Sequence, residues 1–209
     1  MSIVLIGSTS GSVTLQEPAV AGTTVLTLPA TSGNVVVDSA TQTLTNKTIE
    51  GGTVISGTAV SASSTSVDFT SIPSWVKRVT VMFSGISTNG TSIIQVQLGD
   101  SGGVETTGYV GGYSSNGVSG GIISGFPLSY VSTTAVSEIS GSLTLSLVNA
   151  STNTWVGAGT QGRLSGGVAQ EATTFGGGKS LSATLDRVRI TTVNGTDTFD
   201  AGSINILYE

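Results

Sequence analysis

The chain has 209 residues, 12 of them acidic and 7 basic, a formal net charge of -5, and neither cysteine nor histidine. The missing residue types exclude disulfides, thiol and Ser-His-Asp nucleophiles, histidine general bases and zinc sites of the usual kind. Acidic balance and scattered Lys and Arg argue against nucleic acid and anionic membrane as partners, while a hydrophobic share of 37% and a mean hydropathy of +0.31 argue against disorder.

From the start of the chain, Met1–Gly7 carries no basic region of the signal-peptide kind, and no apolar run approaches the roughly 18 residues of a membrane span. A soluble chain that travels without classical secretion is expected. Short Val, Ile, Leu and Thr runs follow at Gly11–Gln16, Gly22–Ala30, Asn34–Asp38 and Gln42–Ile49, broken by Gly, Pro and Asn in the manner of strands and turns. No aromatic residue precedes Phe69. Aromatic side chains bury about 150–250 Å² each and dominate core energetics, so these thin strands are poorly equipped to close a core alone. Copies of the same chain or a larger assembly would supply the missing surface. Residues 57–66, small and polar without periodicity, read as a hinge between a leading segment, residues 1–56, and a second domain, residues 67–209.

From Val67 the pattern changes to longer alternating strands. Val79, Val81 and Phe83 alternate with Thr80 and Met82; Ile94, Val96 and Leu98 with Gln95 and Gln97; Leu143, Leu145 and Leu147 with Thr144 and Ser146; and Ile204, Ile206 and Tyr208 close the chain. Period-two alternation places one face on a core and one in water, so the fold class is all-β, with a C-terminal antiparallel β-sandwich. Leu181, Ala183 and Leu185 share one phase and Val188 and Ile190 the other, which predicts a β-bulge near Asp186-Arg187. Asn194-Gly195 predicts a type I′ hairpin joining the strand that ends at Val193 to one over Thr196–Phe199. The Gly-, Ser- and Tyr-rich stretch from Gly99 to Val136 reads as long loops or irregular strands, where binding tends to sit. Tyr109, Tyr113 and Tyr130 are accordingly candidates for stacking on sugar or protein. Trp75 and Trp155, each at a turn-to-strand junction, read as plugs at the ends of the sandwich.

Catalytic patterns are weak. Phe175-Gly-Gly-Gly-Lys-Ser180 has Thr173 where a phosphate loop needs its first glycine, and strand alternation rather than a helix follows it, so it reads as a β connection. Glu105, Glu138, Glu171 and Asp186 could in principle pair as glycosidase carboxylates, but no spacing brings two together. Asp197 and Asp200 lack the ligand density of a calcium loop and read as turn residues. No cofactor, metal or catalytic residue is expected, and the chain is read as a non-enzyme.

Gly11–Val35 and Gln42–Ile49 resemble segments that recur in fibre and virion structural proteins of tailed bacteriophages. The runs Val67–Phe83 and Thr192–Tyr208 are similar to a β module of the same class, and together these segments cover roughly a third of the chain. The resemblance implies a virion location and a trimeric fibre or spike. Its N-terminal part would attach to the capsid or tail through Val13, Leu15, Val25, Leu26, Leu28, Val35, Val36 and Val37, and its C-terminal β domain would be exposed to host glycan or protein. At 209 residues the chain is short for a full tail fibre, which suggests a head fibre, a decoration protein or a distal subunit. Partners would then be further copies of the chain and other virion proteins. Two alternatives stand beside this reading: a capsid decoration protein that touches no receptor, and a polysaccharide-degrading spike.

Overall fold

A computed structural model of the protein describes residues 3–6, 9–15, 54–129 and 137–209. The chain divides into two compact units, Met1–Thr48 and Ile49–Glu209. In the first unit β1 (Ile3–Ile6) pairs antiparallel with β2 (Ser12–Leu15), Ile3 opposite Leu15 and Ile6 opposite Ser12. Val4 and Ile6, apolar residues at alternate positions of β1, are exposed. Val13 and Leu15 lie on β2 opposite Leu5 and Ile3. The other six residues expected to anchor the chain, Val25, Leu26, Leu28, Val35, Val36 and Val37, lie outside the described residues, as do the three later leading strands.

The second unit is all-β and antiparallel. Its strands are β3 (Ile55–Ser56), β4 (Val60–Ser61), β5 (Ser66–Phe69), β6 (Arg78–Thr88), β7 (Ile94–Asp100), β8 (Gly103–Val104), β9 (Tyr109–Ser115) and β10 (Val118–Ile122). They continue with β11 (Phe126–Pro127), β12 (Ser137–Asn149), β13 (Thr154–Ser165), β14 (Val168–Ser180), β15 (Arg187–Thr192) and β16 (Phe199–Tyr208). One sheet runs β10-β9-β14-β13-β12-β6-β16-β3, with β4 also on β16; the other runs β11-β7-β15-β5, with β8 on β7.

The alternation places the core as expected. Val79, Val81, Phe83, Leu143, Leu145, Ile204 and Ile206 from the larger sheet, and Val67, Val96, Leu98, Val188 and Ile190 from the smaller, are buried in one hydrophobic cluster. Each such side chain withdrawn from water is worth about 1.5–3 kcal/mol. Trp155 is buried within this cluster. Glycines fit the two layers together: Gly111, Gly177 and Gly157 lie side by side on β9, β14 and β13. A Cβ on Gly157 would press on Leu145 and Phe126, and one on Gly111 on Pro127 and the Gly125 carbonyl, so this row makes room for β11 to lie on the larger sheet. Phe175-Gly-Gly-Gly-Lys-Ser180 is therefore no loose connection but the closing half of a 13-residue strand.

Three expectations are corrected. Residues 57–66 do not act as a hinge: Gly57 N–H donates to the Ile206 carbonyl, Val60 and Ser61 pair with β16, Ala62 N–H donates to the Gly202 carbonyl, and Ala62 is buried. Lacking large side chains, the segment could be recognised only by where its backbone hydrogen bonds go. The phase change near Asp186 is no bulge, because residues 181–186 leave the sheet and Leu181 and Leu185 turn back into the core as loop residues. Asn194-Gly195 forms no hairpin, since β15 and β16 belong to different sheets. There the Asn194 carboxamide oxygen accepts from the Thr192 hydroxyl and from the Thr196 and Asp197 N–H groups, turning the chain across the sandwich. The hairpin that uses this dipeptide is β9–β10, where Asn116 and Gly117 both have positive φ, 47° and 80°, as a type I′ turn requires.

A chain of residues 66–209 lacks β3, β4 and the Ala62 contact. It is expected to melt roughly 5–10 °C below one of residues 54–209, at about 2–4 °C per kcal/mol for a domain of this size. Thermal unfolding followed by circular dichroism checks this; equal melting temperatures would show that the added edge contributes nothing.

Candidate functional site

Polar and aromatic groups gather at three places in the second unit. At the first, Asp100 at the end of β7, Glu105 after β8, Lys179 on β14 and Ser182 in the following loop meet around Tyr109. The Lys179 ammonium lies 2.5 Å from Glu105 Oε2 and 5.3 Å from the centre of the Tyr109 ring. Ser182 N–H donates to Glu105 Oε1 at 2.6 Å, and Ser182 Oγ–H donates to Asp100 Oδ2 at 2.6 Å. Tyr109 is a core residue, 3% exposed, whose hydroxyl accepts from Leu98 N–H at 2.7 Å and donates to the Glu105 carbonyl at 2.9 Å. Its ring meets Phe126 edge to face at 5.6 Å. An external ligand cannot reach it, which corrects the expectation from sequence. Burial pushes its hydroxyl well above the ordinary tyrosine range.

The Ser182 hydroxyl, followed by Gly102 N–H, holds the Asp100 carboxyl below its ordinary value. Burial alone would raise Glu105, but the bonds from Lys179 and Ser182 outweigh it and hold that carboxyl low as well. Both groups ionise more readily in the folded chain than in the unfolded one. The stability they contribute is complete above the unfolded carboxylate range, about pH 4, and is lost as pH falls through their depressed folded values. In urea titrations the stability gap between the wild type and Asp100→Asn is therefore expected to be widest at neutral pH and to close on acidification. A gap independent of pH would contradict this.

The second place is an open groove of about 520 Å³ at the far ends of β12, β13 and β14, lined by Glu138, Arg163, Leu164, Gln170 and Glu171 among others. Two of the four carboxylates considered as catalytic acids thus share one groove. Glu171, however, accepts from Arg163 Nε at 2.6 Å and Nη2 at 3.0 Å, a bidentate fork that occupies both its oxygens. Glu105 is engaged as described, and Asp186 is forked by its neighbour Arg187. At the sheet crossing, Asp197 accepts from Ser92 N–H and Asn194 Nδ2, and Asp200 accepts from the Ser87 hydroxyl, as turn-holding acids do.

At the third place, a recess of about 290 Å³ opens at the edge of the sandwich where β5 of one sheet faces β4 and β16 of the other. It is lined by Gly57, Thr58, Val60, Asp68, Phe69, Thr70, Ser71, Ile72, Ile206 and Tyr208. The Tyr208 ring packs against that of Trp75, centroids 5.9 Å apart and planes at 50°. Trp75 is 48% exposed, unlike Trp155 at 2%, so it is no buried plug. The local sequence accounts for this: Ile72 and Val76 are buried on either side, a turn closes with Val76 N–H donating to the Pro73 carbonyl, and Pro73-Ser74-Trp75 is lifted out between them.

No protein-family model, curated protein or solved structure matches the chain. The site rests on its own geometry.

Of the residues expected to meet a host surface, Tyr113 is partly buried against the core with its ring over Gly120, and Tyr130 lies outside the described residues. Among the described residues the large aromatic that stands exposed is instead Trp75, packed on Tyr208. The signal that could have found it was the Ile-Pro-Ser-Trp-Val run, whose two aliphatic residues bracket a proline turn and leave the tryptophan no inward direction. Among the described residues no helix is long and apolar enough to cross a membrane.

Proposed function

We propose that the chain is a non-catalytic surface protein of a tailed-bacteriophage virion, its leading part attached to the capsid or tail and its C-terminal β domain displayed toward the host surface. The observation that carries this reading is the division of the chain: a leading unit with exposed apolar positions at Val4 and Ile6, and a second unit that closes its own core. A unit with a hydrophobic core of its own can be presented alone. The resemblance of the leading runs to phage virion proteins names as partners further copies of the chain, three by that resemblance, and the virion itself.

Deleting the gene and comparing particles with and without the protein tests the reading. Particles that lack it are expected to adsorb poorly to host cells. Unchanged adsorption with reduced heat resistance would replace the proposal with a decoration protein, and the absence of the chain from wild-type particles would overturn both.

A further inference from the structure

We infer that the recess beside Trp75 and Tyr208 is a carbohydrate-binding site that takes one or two sugar rings. The inference rests on the reading of the second unit as the host-facing part, and it names the site and ligand class through which that part would act.

Four features of the recess point to a sugar. First, Trp75 leaves about half of a large apolar side chain in water, burial that a merely structural plug would recover. Second, the recess has an apolar wall with an exposed aromatic beside it. Trp75 packs on Tyr208, Tyr208 lines the recess, and Phe69 and Ile206 extend its apolar wall. A pyranose presents C–H groups on its faces and hydroxyls on its rim, so it needs this kind of wall beside hydrogen-bonding groups.

Third, those groups are present. Thr58, Thr70 and Ser71 are hydroxyl-bearing residues of the same recess. Ser71 adopts a positive φ of 62°, a conformation a non-glycine residue takes at a cost, and it does so on the wall of the recess. Fourth, size and edge geometry disfavour a polypeptide. About 290 Å³ lies at the lower limit of ligand pockets, too small for an amphipathic helix. Strands β3 and β4 at this edge are two residues each, too short to template an added strand.

The tryptophans supply a direct readout, because of the two only Trp75 is open to solvent. Iodide quenching of the full-length protein's fluorescence is measured while methyl α- and β-pyranosides of glucose, galactose, mannose and N-acetylglucosamine, and then polysaccharide purified from the host surface, are titrated in. At least one of these probes is expected to protect Trp75 from iodide. By calorimetry Trp75→Ala should weaken binding of that probe about tenfold or more, and Trp75→Phe should restore most of it. Trp75 is exposed enough for both variants to fold, which their melting curves check. Binding undiminished in Trp75→Ala would overturn the site while leaving the host-facing role intact. If no probe binds but the protein still adheres to host cells, the sugar assignment fails and the functional reading stands; if it does neither, both fail. Loss of self-association in Trp75→Ala, read by sedimentation with no effect of sugar, would overturn the inference and assign this edge to an interface between copies.

Discussion

Replacing Gly177 with alanine is expected to destabilise the second unit by about 3 kcal/mol or more, among the largest effects of any single-methyl change in the protein. The strand residue Gly177 sits between Gly157 and Gly111 in the centre of the larger sheet, and an added Cβ would fall on the Val110 carbonyl group of β9. The obstacle is backbone, which no rotamer change can move aside. Relief requires β14 and β9 to separate, with loss of ladder hydrogen bonds and of the close seating of Phe126 above them. Overpacking commonly costs 1–3 kcal/mol, and a backbone collision lies at or above the top of that range. At about 2–4 °C per kcal/mol the melting temperature should fall by roughly 6–12 °C. Gly162 on neighbouring β13 is the control: open space surrounds its would-be Cβ, so Gly162→Ala should change stability by less than about 1 kcal/mol. Equal melting temperatures for the two variants would contradict the packing described here.

The second large effect is expected at the ion pair beneath Tyr109. Lys179 has a side-chain exposure of 6% and Glu105 one of 23%. Glu105→Gln removes the charge that compensates a nearly buried ammonium and should cost about 2–4 kcal/mol, somewhat below the range for a fully buried pair because Glu105 keeps partial access to water. The double variant Glu105→Gln with Lys179→Met removes the stranded charge and should be more stable than Glu105→Gln alone. Chemical denaturation of the four proteins in the cycle measures the coupling. A double variant as unstable as the sum of the single changes would show that the two side chains act independently.

These positions also show how far the sequence could be read. Strand alternation at residues 79–83, 94–98, 143–147 and 204–208 marks the core faces, because period two has a single structural reading when one face is dry; at 94–98 the face expected in water is buried as well, Gln95 and Gln97 bonding to backbone carbonyls of Thr192 and Ser124. The two Asn-Gly dipeptides show where local signals stop. At 116–117 the flanking strands lie in one sheet and the hairpin forms; at 194–195 the flanking strands lie in different sheets, and the same chemistry serves a crossing. Nothing within a few residues distinguishes the two, because the difference is set by strand partners about a hundred positions away. The glycine-rich surroundings of Tyr109 read as loops or irregular strands, yet they form strands that carry it into the core. Lys179 is hidden for a similar reason: its partner Glu105 is 74 positions away in the chain and adjacent only across the fold.

The central claim, that the C-terminal β domain is displayed on a virion surface, is tested most directly by immuno-electron microscopy of intact purified particles with antibody raised against residues 54–209. Label on the exterior of the head or tail of undisrupted particles is the expected result. Particles that lack the chain, or that bind antibody only after disruption, would contradict it.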